Sequence, residues 1–378
     1  MIKYAVIGIG RMGKKHAVNL VKGRVKNAVL TAVCDTDKAK LDAFKAKFPR
    51  VRCYTSHKEM LAAEKLDAAI VATPHYFHSQ IVIDLLQNSV SALSEKPAAV
   101  TVGDAMRAIN AKKDGLLYGI MYNQRTNRMY KRAKQIIDSG ALGEIKRVNF
   151  IVTDWYRSQY YYDMGEWRAS WKGEGGGILI NQCVHQLDIL QWLIGMPQAL
   201  TAHADTVNRK ITVENEATAI MDYPQGFKCV FCASGHELHG TNRLEIAADK
   251  GKIVITQLQM KYYKFNKPER RVNQETKRGY GWTWRRLYKY NYGIVNAIRD
   301  ITIGQQINII KNFTAALLGK EQLIAEGGEG VKALSLINGI YLSAHKGEKV
   351  SFPLDEGEVE TMIEQLAREE KNEKNHLS

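Results

Sequence analysis

Six residues near the start, Gly8-Ile9-Gly10-Arg11-Met12-Gly13, restrict the fold more than any other stretch. They follow KYAVIGI, an apolar run that reads as a buried strand. They open KKHAVNLVKG, which reads as a helix. Each glycine of a G-x-G-x-x-G turn has a physical task. Gly8 permits the tight turn, Gly10 lets a pyrophosphate approach the backbone, and Gly13 lets the helix pack close to the sheet. The helix N-terminus, with Arg11 and Met12 in its first turn, offers N–H groups and partial positive charge to phosphates. A second strand, AVLTAVCD, ends in Asp35. An acid about 20 residues beyond the glycines can accept hydrogen bonds from an adenosine ribose and repel a 2′-phosphate. NAD is the expected cofactor, and Arg11 and Lys38 leave NADP open.

The alternation continues. Helical DKAKLDAFKAKF, SHKEMLAAEK, SQIVIDLLQNS and TVGDAMRAINAKKDG are interleaved with strand-like RCYT, LDAAIVAT, SALSEKP and LLYGIMYNQR. This order implies a parallel, doubly wound sheet. Ligands bind at the carboxyl ends of such strands. Three polar clusters fall there: Thr73-Pro74 through His78, Glu95-Lys96-Pro97, and Tyr122 to Arg125, which contains Asn123. From about residue 143 the texture changes to half-exposed alternation, as in GEIKRVNFIVTDWY and FKCVFCASGH. That pattern suits an open, mostly antiparallel sheet with helices on one face. The expected class is α/β plus α+β. The expected domains are 1–123 for dinucleotide binding, 124–352 for substrate and oligomerisation, and 353–378 for a C-terminal helix and tail.

Composition narrows the function. The chain of 378 residues carries a formal net charge of +15, which favours an acidic partner or substrate. The basic residues are spread along it, apart from KPERRVNQETKRGYGWTWRRLYKY, residues 267–289 and their neighbour Tyr290. No recognition module accompanies that segment, so nucleic acid is not an expected partner; its role stays open between a surface excursion, a subunit contact and a ligand rim. No window is long and apolar enough for a membrane span. The opening lacks the regions of a secretory signal, and five irregularly spaced cysteines read as reduced, so a cytoplasmic protein is expected. Cys229 and Cys232 lie three apart on a strand and point to opposite faces, so no metal site is expected.

The stretch EGGGILINQCVHQLD, residues 174–188, runs three glycines into an apolar segment that reads as one α-helix. At helical spacing Asn181, His185 and Asp188 share a stripe. The stripe reads either as buried, satisfied polar groups or as part of a site.

GIGRMG, Asp35, TPHYFH, the EKP tripeptide and GGGILINQCVHQLD together resemble the Gfo/Idh/MocA oxidoreductases, over nearly the whole chain. The resemblance implies an N-terminal Rossmann domain and a C-terminal open sheet that carries the substrate pocket and joins subunits into homodimers or homotetramers. It implies NAD(P)-dependent oxidation or reduction of a secondary alcohol on a sugar, glycoside or sugar derivative. Thr73, Pro74 and His78 match the loop beside the nicotinamide half of the cofactor. Glu95 matches the residue on the nicotinamide ribose, Lys96 the active-site lysine, Pro97 a proline often preceded by a cis bond, and His185 the catalytic histidine. Trp167 and Arg168 resemble a Trp-Arg pair near the sugar pocket. Where the inositol dehydrogenase pattern has an acid, this chain has Asn181, which cannot take a proton.

Hydride transfer needs a base for the hydroxyl proton and a donor to hold the oxygen. His185 is the expected base, Lys96 the group polarising the oxygen, and Asn181 a positioning group; the reverse division, with Lys96 as base, stays open. Tyr156 and the tyrosines after it, with Trp167 and Arg168, suit a pyranose or an interface. Two other readings remain: an NAD-dependent glycosidase using transient oxidation, and a non-catalytic sensor of NAD or sugar.

Overall fold

Short, apolar strands at the start of the chain form a sheet covered on both faces. In the computed structural model they are β1 (Ile2–Ile7), β2 (Ala28–Cys34), β3 (Arg52–Tyr54), β4 (Ala68–Val71), β5 (Ser91–Ser94) and β6 (Tyr118–Ile120). The described residues are 1–165, 167–293, 295, 296, 298 and 304–376, with side chains described to 371. The sheet order is β3-β2-β1-β4-β5-β6, and every pairing is parallel. All four residues of β4 and of β5 are buried, which is why they are continuous apolar or small runs. The helices between them are α1 (Arg11–Val21), α2 (Lys38–Lys47), α3 (His57–Ala63), α4 (His78–Gln87) and α5 (Val102–Asn110). Asp37, Ser56 and Thr101 cap α2, α3 and α5 through their side-chain oxygens. The α1 terminus at Gly10 has no side-chain cap.

The second sheet has nine strands: β7 (Ile145–Val152), β8 (Ala199–Asp205), β9 (Glu216–Asp222), β10 (Lys228–Ser234), β11 (Asn242–Ala248), β12 (Gly251–Thr256), β13 (Gln259–Phe265), β14 (Arg285–Asn291) and β15 (Val350–Ser351). Their order is β14-β13-β12-β11-β7-β10-β9-β8-β15. Only β7 and β10 pair in parallel. Val148, Phe150, Ala217, Ala219, Met221, Cys229, Phe231, Leu244 and Ile246 fill the buried face, alternating with partly exposed neighbours. Cys229 is buried and Cys232 is not, as alternation on β10 requires.

By compactness the chain divides into Met1–Thr126 with Gly173–Gly175 and Ile303–Leu334, and Asn127–Lys172 with Gly176–Thr302 and Ser335–Ser378. This differs from the expected contiguous division. The helix Gln306–Leu317 buries Ile307, Ile309, Ile310 and Phe313 in the same core as Tyr4, Val6, Ile70 and Leu93. It therefore completes the first unit. The C-terminal helix runs over Glu356–His376. Its buried Glu370 accepts from the Lys172 N–H (3.1 Å) and the Thr212 hydroxyl (2.5 Å). The last two residues of the expected tail lie outside the described residues.

Three elements escape a reading by apolar periodicity. They do not include the helix α6 (Arg128–Asp138), whose buried Met129, Tyr130, Ala133 and Ile136 follow helical spacing. The basic segment holds a helix, Glu269–Glu275, with no buried residue, and the edge strand β14, whose RRLYKYN shows no apolar face. Finally, residues 178–194 are not one α-helix. Leu179–Cys183 is a π-turn that leads into α7 (Val184–Ile194).

Candidate functional site

The glycine turn shows which of its glycines serves the fold. Gly8 has φ +84°, and a Cβ on it would stand 2.5 Å from the Ala72 carbonyl oxygen. A Cβ on Gly13 would stand 1.7 Å from the Gly8 carbonyl oxygen. Both are fixed by packing. Gly10 has an ordinary φ of −62°, and nothing lies within 4 Å of where its Cβ would be. The open space lies at an uncapped helix terminus whose first N–H groups need an acceptor. Asp35 is held beside this turn: its carboxylate accepts from the Ile9 N–H (2.8 Å) and the Asp37 N–H (3.0 Å). Arg11 and Lys38 are exposed. A phosphate-bearing dinucleotide fits this cradle, and each Asp35 oxygen keeps a further lone pair for a ribose hydroxyl.

The other strand ends are tied to one another. The His78 ring is buried, with Nδ1 2.7 Å from the Pro97 carbonyl and Nε2 2.7 Å from the Thr73 carbonyl. Burial lowers its pKa, against the two carbonyls, which favour the charged ring. With both nitrogens so placed, His78 braces the Thr73-Pro74 loop against the EKP loop. Lys96-Pro97 is a cis bond. Glu95 Oε1 lies 2.8 Å from Nε2 of the buried His16, and Glu95 Oε2 accepts from the Lys96 N–H (3.3 Å). Asn123 is buried and its amide donates to Gln305 (3.2 Å). His16 sits on α1 three residues past the last glycine and reads as ordinary in the sequence. Its place on the buried side of α1 is the one signal that could have found it.

In the second unit the glycine run approaches protein. A Cβ on Gly176 would stand 2.2 Å from the Tyr341 hydroxyl, and one on Gly177 1.9 Å from the Glu214 carbonyl oxygen. Within the first unit, a Cβ on Gly175 would stand 2.4 Å from Val100. The Glu214 carboxylate accepts from Gly177 N–H (2.8 Å), Leu179 N–H (2.9 Å) and Tyr341 O–H (2.9 Å). It is an acid set at the positive end of the helical segment. Burial pushes its pKa up to about 7 against these donors. No spacing in the sequence points to Glu214, which lies two residues ahead of Glu216 at the start of β9.

The π-turn inserts a residue into the helical ladder, a device frequent at functional sites. From Ile178 to Gln191 every residue is buried except Asn181 and His185. The stripe expected at α-helical spacing is thereby shortened: Asn181 and His185 stay partly open, and Asp188 is fully buried, accepting from Gln191 Nε2 (3.1 Å). Gln182 donates to the Tyr161 hydroxyl (3.1 Å), as does Arg168 Nη1 (2.9 Å). Arg168 stacks on Trp167, with Cζ 4.5 Å from the ring centre. Tyr156, half exposed, carries Arg209 over its ring. Lys96 belongs to the first unit, and Asn181, His185, Trp167, Arg168 and Tyr156 to the second. Among the described residues no three His, Cys, Asp or Glu gather as a metal site, and no helix is long and apolar enough to cross a membrane.

A glycine-turn parallel sheet followed by an open mixed sheet is the architecture of a nucleotide-dependent oxidoreductase with two units. Residues 2–121 match "Oxidoreductase family, NAD-binding Rossmann fold", and residues 130–254 match "GFO/IDH/MocA C-terminal domain". The chain belongs to the GFO/IDH/MocA family of NAD-binding oxidoreductases. It is 24% identical to a myo-inositol 2-dehydrogenase of Thermotoga maritima over 67% of this chain and 74% of that protein. It is 25% identical to a D-apiose dehydrogenase of Paraburkholderia graminis over 94% and 91%. The crystal structure of the WlbA dehydrogenase from Bordetella pertussis, in complex with NADH and UDP-GlcNAcA, superposes with a TM-score of 0.81 at 26% identity, covering 94% of this chain and 98% of that one. The basic segment 267–289 lies outside both family matches.

Proposed function

We propose that this oxidoreductase moves a hydride between nicotinamide and a secondary alcohol of a sugar, glycoside or sugar derivative, with Lys96, His185 and Asn181 at the chemistry. One observation carries the reading. In a segment otherwise buried from Ile178 to Gln191, the two side chains left partly open are an amide in the π-turn and an imidazole in the first turn of the α-helix that follows. The relatives' names, inositol and apiose dehydrogenases, support a polyol or sugar alcohol.

Gly8, Gly10, Arg11, Met12, Gly13 and Asp35 hold the phosphates and adenosine ribose. Thr73, Pro74, Glu95 and Asn123 serve the nicotinamide half, with His78 acting through its loop. NAD, when bound, supplies the hydride acceptor. His185 takes the hydroxyl proton, since an imidazole exchanges protons near neutrality. Lys96 donates to the oxygen as carbonyl character develops there, which favours the transition state over the alcohol. Asn181 orients the hydroxyl by hydrogen bonding and takes no proton. Trp167 and Tyr156 offer rings on which a pyranose stacks. The half-exposed face of the second sheet, where Ile220 is exposed, is the surface on which copies would join as a homodimer or homotetramer. Five free cysteines suit the reducing cytoplasm.

The test is incubation of the purified protein with NAD and a panel of pyranoses, their glycosides and cyclitols, following NADH and free aglycone. Net NADH formation is the expected result. Aglycone release without NADH would mean a glycosidase, and tight binding without turnover a sensor. His185→Ala with near-normal kcat would remove the base assignment. Lys96→Ala that weakened only cofactor binding would remove Lys96 from the chemistry.

A further inference from the structure

Three guanidinium groups of the second unit gather on aromatic rings, with no carboxylate bonded to them among the described residues. Arg157 Cζ lies 4.7 Å from the centre of the Tyr161 ring and 5.2 Å from that of Trp155. Arg168 Cζ lies 4.8 Å from the same Tyr161 ring. Arg209 Cζ lies 5.3 Å from the Tyr156 ring, and its Nε donates to the Arg157 carbonyl (2.8 Å). Among the described residues none of the three pairs with a carboxylate; their partners are carbonyls, a phenol and rings. Of the acids near in sequence, Asp154 accepts from Asn242 (3.3 Å) and Gln257 (2.7 Å) and Asp163 from Gln159 (3.0 Å), while Glu166 lies outside the described residues.

Like charges so arranged repel one another, and partial burial strengthens the repulsion. Ring stacking fixes the planes of the guanidinium groups without neutralising them. An anion entering the cluster relieves the repulsion and meets preset forks that bind carboxylate or phosphate. The donors are available. Arg157 Nε is buried and has no hydrogen-bond partner among the described residues. The Tyr161 oxygen already accepts from Arg168 and Gln182, which uses both of its lone pairs. Its proton is left to donate. Gln182 stands in the π-turn between Asn181 and His185, so the cluster is bonded to the segment that carries the proposed base.

We propose that Arg157, Arg168 and Arg209, with Tyr161, form a subsite for an oxyanion group of the substrate, so that the sugar is an acidic derivative bearing a carboxylate or a phosphate. The proposal rests on the reading of this site as one for a sugar alcohol. Its chemistry is the same for a uronate and for a sugar phosphate, and the probes separate the two.

The experiment measures binding to the protein saturated with NADH, by calorimetry at low ionic strength. The probes are glucose, glucuronate, glucose 6-phosphate, UDP-glucose and inorganic phosphate. At least one anionic sugar should bind ten-fold or more tightly than glucose and than inorganic phosphate. Glucuronate alone would assign a carboxylate, and either phosphorylated sugar a phosphate. Arg157→Gln and Arg209→Gln should each erase most of that preference while NADH affinity and the unfolding midpoint hold. Tyr161→Phe, which keeps the ring and removes the donor, should reduce it several-fold. Equal affinity for glucose and all anionic sugars, equal affinity for inorganic phosphate, or a preference that survives both arginine variants would overturn the subsite. Turnover separates this from the wider reading. Anion preference without NADH formation from any sugar leaves the subsite standing and the dehydrogenase reading fallen. NADH formed equally well from neutral and acidic sugars does the reverse.

Discussion

Two glycine stretches do opposite work in this protein. In Gly8 to Gly13, two glycines are closed in by backbone and the middle one faces open space. In Gly175 to Gly177 all three are closed in, by Val100, by Tyr341 and by the Glu214 backbone. The first stretch leaves room beside an uncapped helix N-terminus, which is a place for a ligand's phosphates. The second brings a buried carboxylate to the N–H groups of a helix start, which is a place for the chain's own acid. Glycine runs that look alike in sequence thus divide into a cradle and a clamp. The distinguishing fact is what a methyl group would meet.

The largest effect expected from that difference is on folding. Gly13→Ala and Gly177→Ala each drive a Cβ into a carbonyl oxygen that cannot swing away, at a cost of about 3 kcal/mol or more. Denaturant unfolding should show the loss in both, without any ligand present. Gly10→Val should instead leave the unfolding curve of the apoprotein in place, since its φ suits any residue and its Cβ meets nothing. Its NAD affinity should fall by about 100-fold, as the side chain fills the space needed for close backbone approach. A Gly10→Val protein that unfolded as readily as Gly177→Ala would erase the contrast between cradle and clamp.

The cradle was legible in the sequence and the clamp was not. G-x-G-x-x-G, the strand before it and Asp35 after it are contiguous signals, each with its own physical reason. The parallel and antiparallel halves were legible too, because burial on two faces or on one writes different alternation. Glu214 and Tyr341 reach the glycine run from distant parts of the chain, and no local spacing announces such a meeting. The π-turn was hidden because an extra residue in a buried helix changes no residue's polarity, only its phase. The helix Gln306–Leu317 has helically spaced apolar residues, but its place in the first core is a long-range fact. Strand β14 was missed because an edge strand without an apolar face carries no period.

The clamp can be tested through its proton. The folded pKa of Glu214, about 7, lies above its ordinary 4.5, so the folded protein binds the proton more tightly. The stabilisation is full below the unfolded value and is lost as pH rises through the folded one. Between pH 5 and pH 7 the loss is about 2 kcal/mol. Glu214→Gln should flatten this part of the stability profile by a similar amount. If the Glu214→Gln protein kept the full slope, the titrating group would lie elsewhere.

The smallest effect concerns how the cradle's own unit supports the lysine proposed for the chemistry. His16 is fully buried on α1, and its Nε2 meets Glu95, whose other oxygen accepts from the Lys96 backbone. The histidine touches no reacting atom, so it is a positioning residue: it fixes which way Glu95 can turn. Removing it by His16→Leu should raise the KM for NAD by about five- to ten-fold, a loss of about 1 kcal/mol, while kcat at saturating NAD changes less. Simple loosening of the core would lower the unfolding midpoint and spare that ratio. His16→Gln offers a nitrogen donor in place of the lost one and should recover most of the affinity. If the two variants behave alike, volume rather than the hydrogen bond is what His16 supplies. The line between cradle and fold would then fall one residue shell closer to the glycines than the Glu95 contact suggests.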